Sequence, residues 1–189
     1  MEKRAFPRAL SAGVLVVAVA AALLHGPAFA EIKGKCSKAV GSFLTENTLD
    51  NDGRTGTSRS LLVLTNGGHA LRFDSDETGA AMDSRPFGNS AGTWRCDGVD
   101  KDGTVRLTAT MLDFTYPDAE GDKGQIARID MTGTYAPKTE VMELKGTLGF
   151  FPMNAAAQKA DTLANVWEPI TITLRGARIE LPAAPSSKP

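Results

Sequence analysis

The sequence predicts an all-β fold: an antiparallel up-and-down β-barrel of about eight strands with one short helix. From about residue 58 onward, apolar and polar residues alternate with a period of two, the pattern of half-buried strands. Turn residues recur about every ten positions along the same stretch. The alternating segments number about eight, the count at which such a barrel closes and leaves no edge strand.

The first thirty residues have the pattern of a secretory signal peptide. Basic residues precede a 16-residue apolar run over residues 9–24, and Ala28-Phe29-Ala30 follows as an A-x-A cleavage pattern. A membrane anchor is the alternative, but that run is shorter than the roughly 20 residues that span a bilayer. We therefore expect cleavage before Glu31, a secreted or periplasmic protein, and no membrane span after cleavage.

Removal of residues 1–30 leaves enough chain for a single domain, expected over residues 31–181, with a disordered tail over 182–189. The leader holds three basic residues and one acidic residue of the 21 and 22 in the whole chain, so the formal charge of the remainder is −3. Nucleic-acid binding depends on clustered Lys and Arg, and this balance predicts no nucleic-acid partner. The sequence does not predict an oligomeric state.

Cys36 and Cys96 are the two cysteines of the chain, which allows a single intramolecular bridge. An exported chain favours the bridge over two buried thiols, and closing a loop of this length stabilises a fold by roughly 4 kcal/mol. The count excludes a zinc cluster built from thiolates, and the spacing excludes a redox CxxC site.

The clearest local signal is a hairpin at Asn66-Gly67-Gly68, since Asn and Gly tolerate the positive φ of a tight turn. Further along, Val105, Leu107, Ala109 and Met111 share one face, whereas Leu112, Phe114 and Tyr116 follow in the other phase. One extra residue would restore a continuous buried face, so this slip predicts a β-bulge or sharp bend at residues 111–113. Gly176 interrupts the last strand in the same way.

The other strands follow from alternation and turn signals. A first strand is expected over residues 37–48 and another over 93–98, and two more are joined by a short link at residues 136–140. Residues 153–167 contain three consecutive alanines followed by Gln158 and Lys159, which predicts the single short helix. Gly133, Gly146 and Gly149 within apolar faces indicate either space in the lumen or bends.

Three motifs suggest chemistry but lack the context for it. Residues 88–92 match G-x-S-x-G, yet a strand rather than a helix is expected after Ser90, and His69 precedes it, so we expect a turn. The acidic stretches at 50–53 and 97–103 do not have the ligand register of a calcium loop and are expected to be turns. His69 follows a tight turn, where an exposed histidine is more usual than a general base. No metal site and no cofactor are predicted.

Aromatic side chains supply candidate ligand contacts, and arginines recur within the strands. The predicted ligand-binding residues are Trp94, Phe114, Tyr116, Tyr135 and Phe150. Inward-facing arginines would hold an anionic head group, but alternation favours the solvent face for the strand arginines, which are Arg106, Arg128, Arg175 and Arg178. The aromatics are equally compatible with a filled core.

The segments GTWRCDGVDKDGTVRLTATMLDFTY and IARIDMTGTY resemble the calycin-like group of secreted bacterial β-barrels, which includes lipocalins and allene-oxide-cyclase-like proteins. The resemblance covers roughly residues 37–181. Lipocalins carry Gly-x-Trp on their first strand, whereas Gly92-Thr93-Trp94 falls in mid-chain, so lipocalin membership is not implied. The resemblance implies a barrel with a central cavity for a small apolar molecule, and it transfers no catalytic residue.

These observations lead to a binding module as the first hypothesis for function, with a small hydrophobic ligand held in the lumen. The second is a cyclase, isomerase or hydrolase in which an acid such as Asp113 or Glu143 acts with His69. Its mark would be an inward-facing acid with a raised pKa, for which Asp113 is the best candidate. The third is an envelope interaction protein with a solid core and an exposed apolar patch. Fold class does not decide among them.

Overall fold

The computed structural model describes residues 31–80, 84–117, 123–159 and 169–180. The predicted leader and the predicted tail lie outside these residues. The described chain contains eight strands, β1 to β8 in chain order: Gly41–Asn51, Arg54–Leu64, His69–Asp74, Ser90–Val99, Val105–Phe114, Gln125–Ala136, Val141–Pro152 and Ile170–Arg178. None of the helices in the described residues is long and apolar enough to cross a membrane.

The strands form one closed antiparallel barrel, which confirms the predicted fold class. Each strand pairs with the next along the chain, and β8 pairs back onto β1 from Phe43↔Arg178 to Asp50↔Thr171. Closure leaves no strand at an edge of the sheet, although the short β3 pairs only with residues 60–64 of β2 and 90–93 of β4. Every strand therefore has one face toward the lumen and one toward the outside, with successive side chains alternating between them.

The tight turn between β2 and β3 confirms the predicted hairpin. β2 ends at Leu64 and β3 begins at His69, and the Thr65 amide donates to the His69 carbonyl at 2.9 Å. Gly68 has a φ of 77°, which a side chain with a Cβ adopts only at a cost. Gly68 is therefore the residue of the Asn-Gly-Gly sequence whose backbone this turn requires.

The one short helix lies elsewhere than predicted. Residues 153–159 form hydrogen-bonded turns, so the helix prediction is wrong there, and residues 160–167 lie outside the described chain. The Arg128 side chain donates to the carbonyls of Ala157 and Lys159, and these tertiary bonds outweigh the helical propensity of the alanine run. The helix of the described chain is a 3-10 helix at Gly34–Ala39, and β1 starts after it at Gly41.

The predicted bulge at residues 111–113 is absent. β5 pairs with β6 in unbroken register from Val105↔Tyr135 to Phe114↔Ile126, and the irregularity lies instead on β4, between Cys96 and Gly98. The alternation thus keeps its original phase, so Asp113 points into the barrel and Phe114 points out. The barrel accepts an inward carboxyl at this level because other polar side chains surround it there.

β8 likewise has no register shift at Gly176. It pairs without interruption with both β1 and β7. A Cβ at Gly176 would overlap the carbonyl oxygen of Leu44, so glycine here permits a close approach of neighbouring backbones. Gly133 and Gly146 are in the same situation against β7 and β6, so the close approach of the paired backbones accounts for these two glycines.

One end of the barrel, here called the sealed end, is filled with apolar side chains and capped by Arg178. The Arg178 guanidinium lies 5.0 Å from the Phe43 ring centre and 4.9 Å from that of Tyr135. It also donates to the Tyr135 hydroxyl at 2.9 Å and to the Val40 carbonyl at 2.8 Å. The buried apolar residues behind this cap include Leu62, Leu64, Trp94, Val105, Leu107, Met142, Leu144 and Leu174.

Cys36 and Cys96 form a disulfide, which confirms the predicted bridge. It joins the 3-10 helix to β4 at the sealed end of the barrel. The segment before β1 is thereby held against the core, where Ala39 is fully buried. A disulfide fits a protein of an oxidising compartment such as the periplasm or the extracellular space.

Replacing both cysteines by serine is expected to lower the free energy of unfolding by up to about 4 kcal/mol, because the unfolded chain regains the entropy of a 60-residue loop. Guanidinium denaturation of the wild-type protein and of Cys36→Ser/Cys96→Ser measures the difference. A reductant should shift the wild-type midpoint toward that of the variant and leave the variant unchanged. Equal midpoints for the two oxidised proteins would contradict the prediction.

Candidate functional site

The barrel contains a cavity of about 540 Å³ at the end opposite to Arg178. β3, β5 and β7, which are separated from the next strand by the longer intervals of sequence, all end on this side of the barrel. Between β3 and β4, Phe87 forms an isolated bridge with Thr115, and both residues line the cavity. The lumen is thus divided into a filled half and a half that holds space.

The side of the cavity formed by β6, β7 and β8 is apolar. We call it the apolar wall, and its residues are Ala127, Ile129, Leu148, Phe150, Ile170 and Ile172. They face inward because each occupies an alternate position on a strand whose intervening residues face outward. This wall can bury the body of an apolar molecule through dispersion and loss of water contact.

The opposite side, formed by β2, β3 and β5, is polar. We call it the polar wall and define it by Ser58, Arg72, Asp74 and Asp113. Arg72 and Asp74 form a buried ion pair through Arg72 Nη2 and Asp74 Oδ2. The same carboxylate oxygen accepts from Ser58 Oγ at 3.1 Å and from the Asn47 side-chain amide at 2.9 Å. These bonds fix Asp74 and, through it, the position of the guanidinium.

Asp113 is 3% exposed and has one strong partner. Its Oδ2 accepts a hydrogen bond from Ser90 Oγ at 2.8 Å. Burial raises the pKa of Asp113 from 3.8 to about 6; the Ser90 hydroxyl and the Arg72 charge lower the pKa, and the Asp74 charge raises it. This carboxyl therefore changes its charge close to neutral pH.

Two buried atoms of the polar wall have no hydrogen-bond partner among the described residues. They are Asp113 Oδ1, an acceptor, and Arg72 Nε, a donor. Burial lowers the pKa of the Arg72 guanidinium from its ordinary value, and Asp74 and Asp113 offset part of that effect. Unpaired buried polar atoms cost free energy, which makes these two atoms the natural contacts for a bound polar group.

More exposed charged residues border the cavity at its mouth. Arg54 lies at the start of β2, and Asp76 and Arg85 lie on the connection between β3 and β4. All three interact with other groups of the chain. The cavity is lined by equal numbers of basic and acidic residues, so their net charge is zero. A ligand would therefore be selected by the positions of the individual charges.

Of the five predicted ligand-binding residues, Phe150 lines the cavity. Trp94 and Tyr135 are buried at the sealed end, where the Trp94 indole donates to the Thr65 carbonyl at 2.9 Å. Phe114 and Tyr116 lie on the outer surface, with 54% and 55% of each residue exposed. The last two have outward positions because β5 keeps its phase, contrary to the bulge prediction.

The residues suggested for catalysis do not come together. Asp113 points inward and lines the cavity. His69 is exposed at the first residue of β3, which lies at the sealed end of the barrel. Glu143 is exposed on β7 and pairs with Arg175 at 2.8 Å. Asp113 therefore stands with Ser90, Arg72 and Asp74 instead.

The two acidic stretches contain turns between strands, as expected, whereas the G-x-S-x-G stretch leads directly into a strand. Ser90 begins β4, so no helix follows the G-x-S-x-G stretch, and the Ser90 hydroxyl is bonded to Asp113. The two acidic stretches join β1 to β2 and β4 to β5. In the described part of the chain, no cluster of three or more His, Cys, Asp or Glu residues is placed to hold a metal ion.

The strand arginines divide between the two faces. Arg106 and Arg175 are exposed, which confirms the solvent-face prediction for them. Arg128 also points outward, as predicted, but residues 157–159 cover it. Arg178 is half-buried over the Phe43 and Tyr135 rings at the sealed end, so the prediction is wrong for Arg178. Arg72 points inward because it pairs with Leu62 across β2 and β3, and Leu62 faces the core. Alternation together with this register would have predicted its position.

Comparisons with protein-family models, with curated proteins and with solved structures found no match to this chain.

The raised pKa of Asp113 makes stability depend on pH. Between about pH 4 and 6 the folded state holds a proton on Asp113 that the unfolded state has lost, so the free energy of unfolding falls as pH rises. A shift from 3.8 to about 6 corresponds to a loss of about 3 kcal/mol over this window. Asp113→Asn should remove that loss.

Urea denaturation from pH 4 to 7 tests this prediction, with Glu46→Gln as the matched control because Glu46 is an exposed carboxyl on β1. The difference in unfolding free energy between Asp113→Asn and wild type should grow in favour of the variant as pH rises. The Glu46→Gln curve should run parallel to wild type. A parallel Asp113→Asn curve would show that Asp113 titrates normally.

Proposed function

We propose that this protein binds a small, predominantly apolar molecule in the cavity of the barrel. The observation that carries the proposal is the cavity of about 540 Å³ between an apolar wall and a polar wall. Binding sites for small molecules commonly have volumes of about 300 to 1,000 Å³ and a mainly apolar lining with few polar groups. The volume lies within this range, and the lining is of mixed polarity, because the polar wall and the charged residues at the mouth oppose the apolar wall.

The arrangement of the walls supports an amphipathic ligand. The ligand body would lie on Ile129, Leu148 and Phe150, and its polar end would face Arg72 and Asp113 across the lumen. The sealed end limits how deep the ligand can enter, because Arg178 and the side chains behind it fill that half. Entry is proposed through the mouth bordered by Arg54 and Arg85.

Export and membership of the calycin-like group belong to the same proposal. The closed barrel is consistent with a calycin-like fold, and the Cys36–Cys96 bridge is of the kind that persists in the periplasm or outside the cell. A carrier or scavenger of a poorly soluble molecule would operate in such a compartment.

Acid–base catalysis is the second candidate, and the environment of Asp113 favours it specifically. A carboxyl with a pKa of about 6 inside a cavity is suited to give and take protons near neutral pH. Asp113 would be the acid or base, with Ser90 as a positioning residue. The cavity weighs against the third hypothesis, an interaction protein with a solid core.

Native mass spectrometry of the protein purified from a bacterial periplasm tests for a retained ligand. We expect a discrete additional mass that disappears after organic extraction, because an apolar molecule in the lumen dissociates slowly from its buried surface. Recovery of the same compound unchanged after incubation with fresh protein supports a binder, whereas its conversion to a new mass supports an enzyme. A bare chain that also fails to take up added apolar compounds would contradict the proposal.

Filling the cavity should abolish binding. In Ala127→Trp, the indole would occupy space beside Ile129 and Phe150, so fluorescence of the neutral probe N-phenyl-1-naphthylamine should show at least a tenfold weaker affinity. The control is Thr132→Trp, a substitution at an exposed position of the same strand. If both variants bind the probe as wild type does, the probe lies outside the lumen.

A further inference from the structure

The polar wall presents one unpaired acceptor and one unpaired donor. Asp113 Oδ1 and Arg72 Nε both belong to residues that line the cavity, and both atoms are buried without a hydrogen-bond partner in the described chain. Arg72 and Asp113 are 4% and 3% exposed, so neither side chain can satisfy these atoms with bulk water. A group that bonded to both atoms would need a donor for Asp113 Oδ1 and an acceptor for Arg72 Nε–H.

The polar wall contains one basic side chain, Arg72, and two acidic ones, Asp74 and Asp113, so one carboxylate has no partner of opposite charge. The Arg72 guanidinium is paired with Asp74, and Asp74 accepts two further bonds from Ser58 and Asn47. Asp113 has only the neutral Ser90 hydroxyl as a direct partner. On the other side, β5 pairs with β6, where Ala127 stands opposite Asp113 and contributes no charge. When Asp113 is ionised, the buried group as a whole therefore has a charge of about −1.

We infer that the ligand carries a small uncharged polar group, an amide or a hydroxyl, that donates to Asp113 Oδ1 and accepts from Arg72 Nε–H. This inference rests on the proposed binding function. A hydroxyl offers a donor and an acceptor on one oxygen, and a primary amide offers them on its N–H and its carbonyl. Bonds to ionised partners are stronger than bonds between neutral groups, so this pairing would contribute strongly to selection.

Other head groups leave a conflict. A carboxylate has no proton to donate, and Asp113 repels it when ionised. An ammonium group would pair with Asp113, but it cannot accept from Arg72 and would lie beside the guanidinium. A hydrocarbon satisfies neither atom. An uncharged group that both donates and accepts can bond to Asp113 Oδ1 and to Arg72 Nε–H without repulsion from either charge.

Protonation of Asp113 is expected to lower the affinity for an amide ligand and to raise the affinity for a carboxylate ligand. Asp113 has a pKa of about 6 because of burial, and the charged groups that face it are Arg72 and Asp74 of β3, with Arg54, Asp76 and Arg85 at the mouth. Below that pH the strong acceptor is lost, so affinity for an amide falls. The repulsion of a carboxylate is lost as well, so affinity for a carboxylate rises.

Four probes with the same apolar body test the inference: 2-naphthamide, 2-naphthoate, 2-(aminomethyl)naphthalene and 2-methylnaphthalene. Their dissociation constants would be measured by displacement of N-phenyl-1-naphthylamine at pH 5 and at pH 7.5. At pH 7.5 we expect 2-naphthamide to bind at least tenfold more tightly than each of the others. Its affinity should fall at pH 5, where that of 2-naphthoate should rise.

Two variants test whether Asp113 is responsible for the preference for 2-naphthamide. Asp113→Asn should reduce the preference for 2-naphthamide over 2-naphthoate and remove the pH dependence of both. Glu46→Gln, on the outer face, should leave both unchanged. Retained binding of 2-methylnaphthalene by Asp113→Asn would show that this variant is folded with its cavity intact.

The outcomes separate the inference from the proposed function. If the four probes bind with equal affinity, the lumen binds apolar molecules and the inference about the head group is wrong. Preferred binding of 2-naphthoate or of the amine at pH 7.5 would likewise overturn it and would identify an anion or a cation site. If no probe binds and N-phenyl-1-naphthylamine does not bind either, the proposed function itself fails.

Discussion

The pairing of β8 with β1 is the constraint on which the rest of the structure depends. Once these two strands pair, the sheet has no edge, and every alternate side chain is enclosed in a lumen of fixed width. Enclosed polar groups must then find partners among their neighbours, because water cannot reach them freely. The Arg72–Asp74 ion pair and the Ser90–Asp113 hydrogen bond are the result of that requirement.

The two halves of the lumen meet this constraint in different ways. At the sealed end, large apolar side chains fill the space, and the Arg178 guanidinium covers them with cation–π contacts and hydrogen bonds to backbone carbonyls. At the other end, the strands that carry polar inward residues face strands that carry apolar ones across the cavity. The cavity therefore has one polar side and one apolar side, because Arg72 and Asp113 lie on β3 and β5 whereas Leu148 and Ile172 lie on β7 and β8.

Sequence alternation and turn residues were sufficient to predict the barrel and the hairpin at residues 66–68, and the number of cysteines was sufficient to predict the bridge. The polar wall was not predicted as a whole. The change of apolar phase after Met111 was interpreted as a bulge, on the assumption that the buried face must stay apolar; the strand keeps its register and buries Asp113 instead. Arg72 was not among the predicted site residues, because the apolar residues beside it, Leu71 and Phe73, lie on the outer face of β3 and the polar ones on the inner face. Side chains that break the apolar pattern inside a barrel are the ones that form its site, and periodicity alone places them outside.

The disulfide has a consequence for the order in which the chain folds. β1 and β8 come from opposite ends of the described chain, so the seam between them depends on the most distant contacts in the sheet, and such contacts form slowly. Until then, β1 and β8 each present a free edge on which two molecules can associate. The Cys36–Cys96 bond needs only the first four strands, and it can anchor the start of β1 beside β4 before the last strand arrives. An oxidising environment would thereby shorten the period in which a half-built barrel is prone to aggregate.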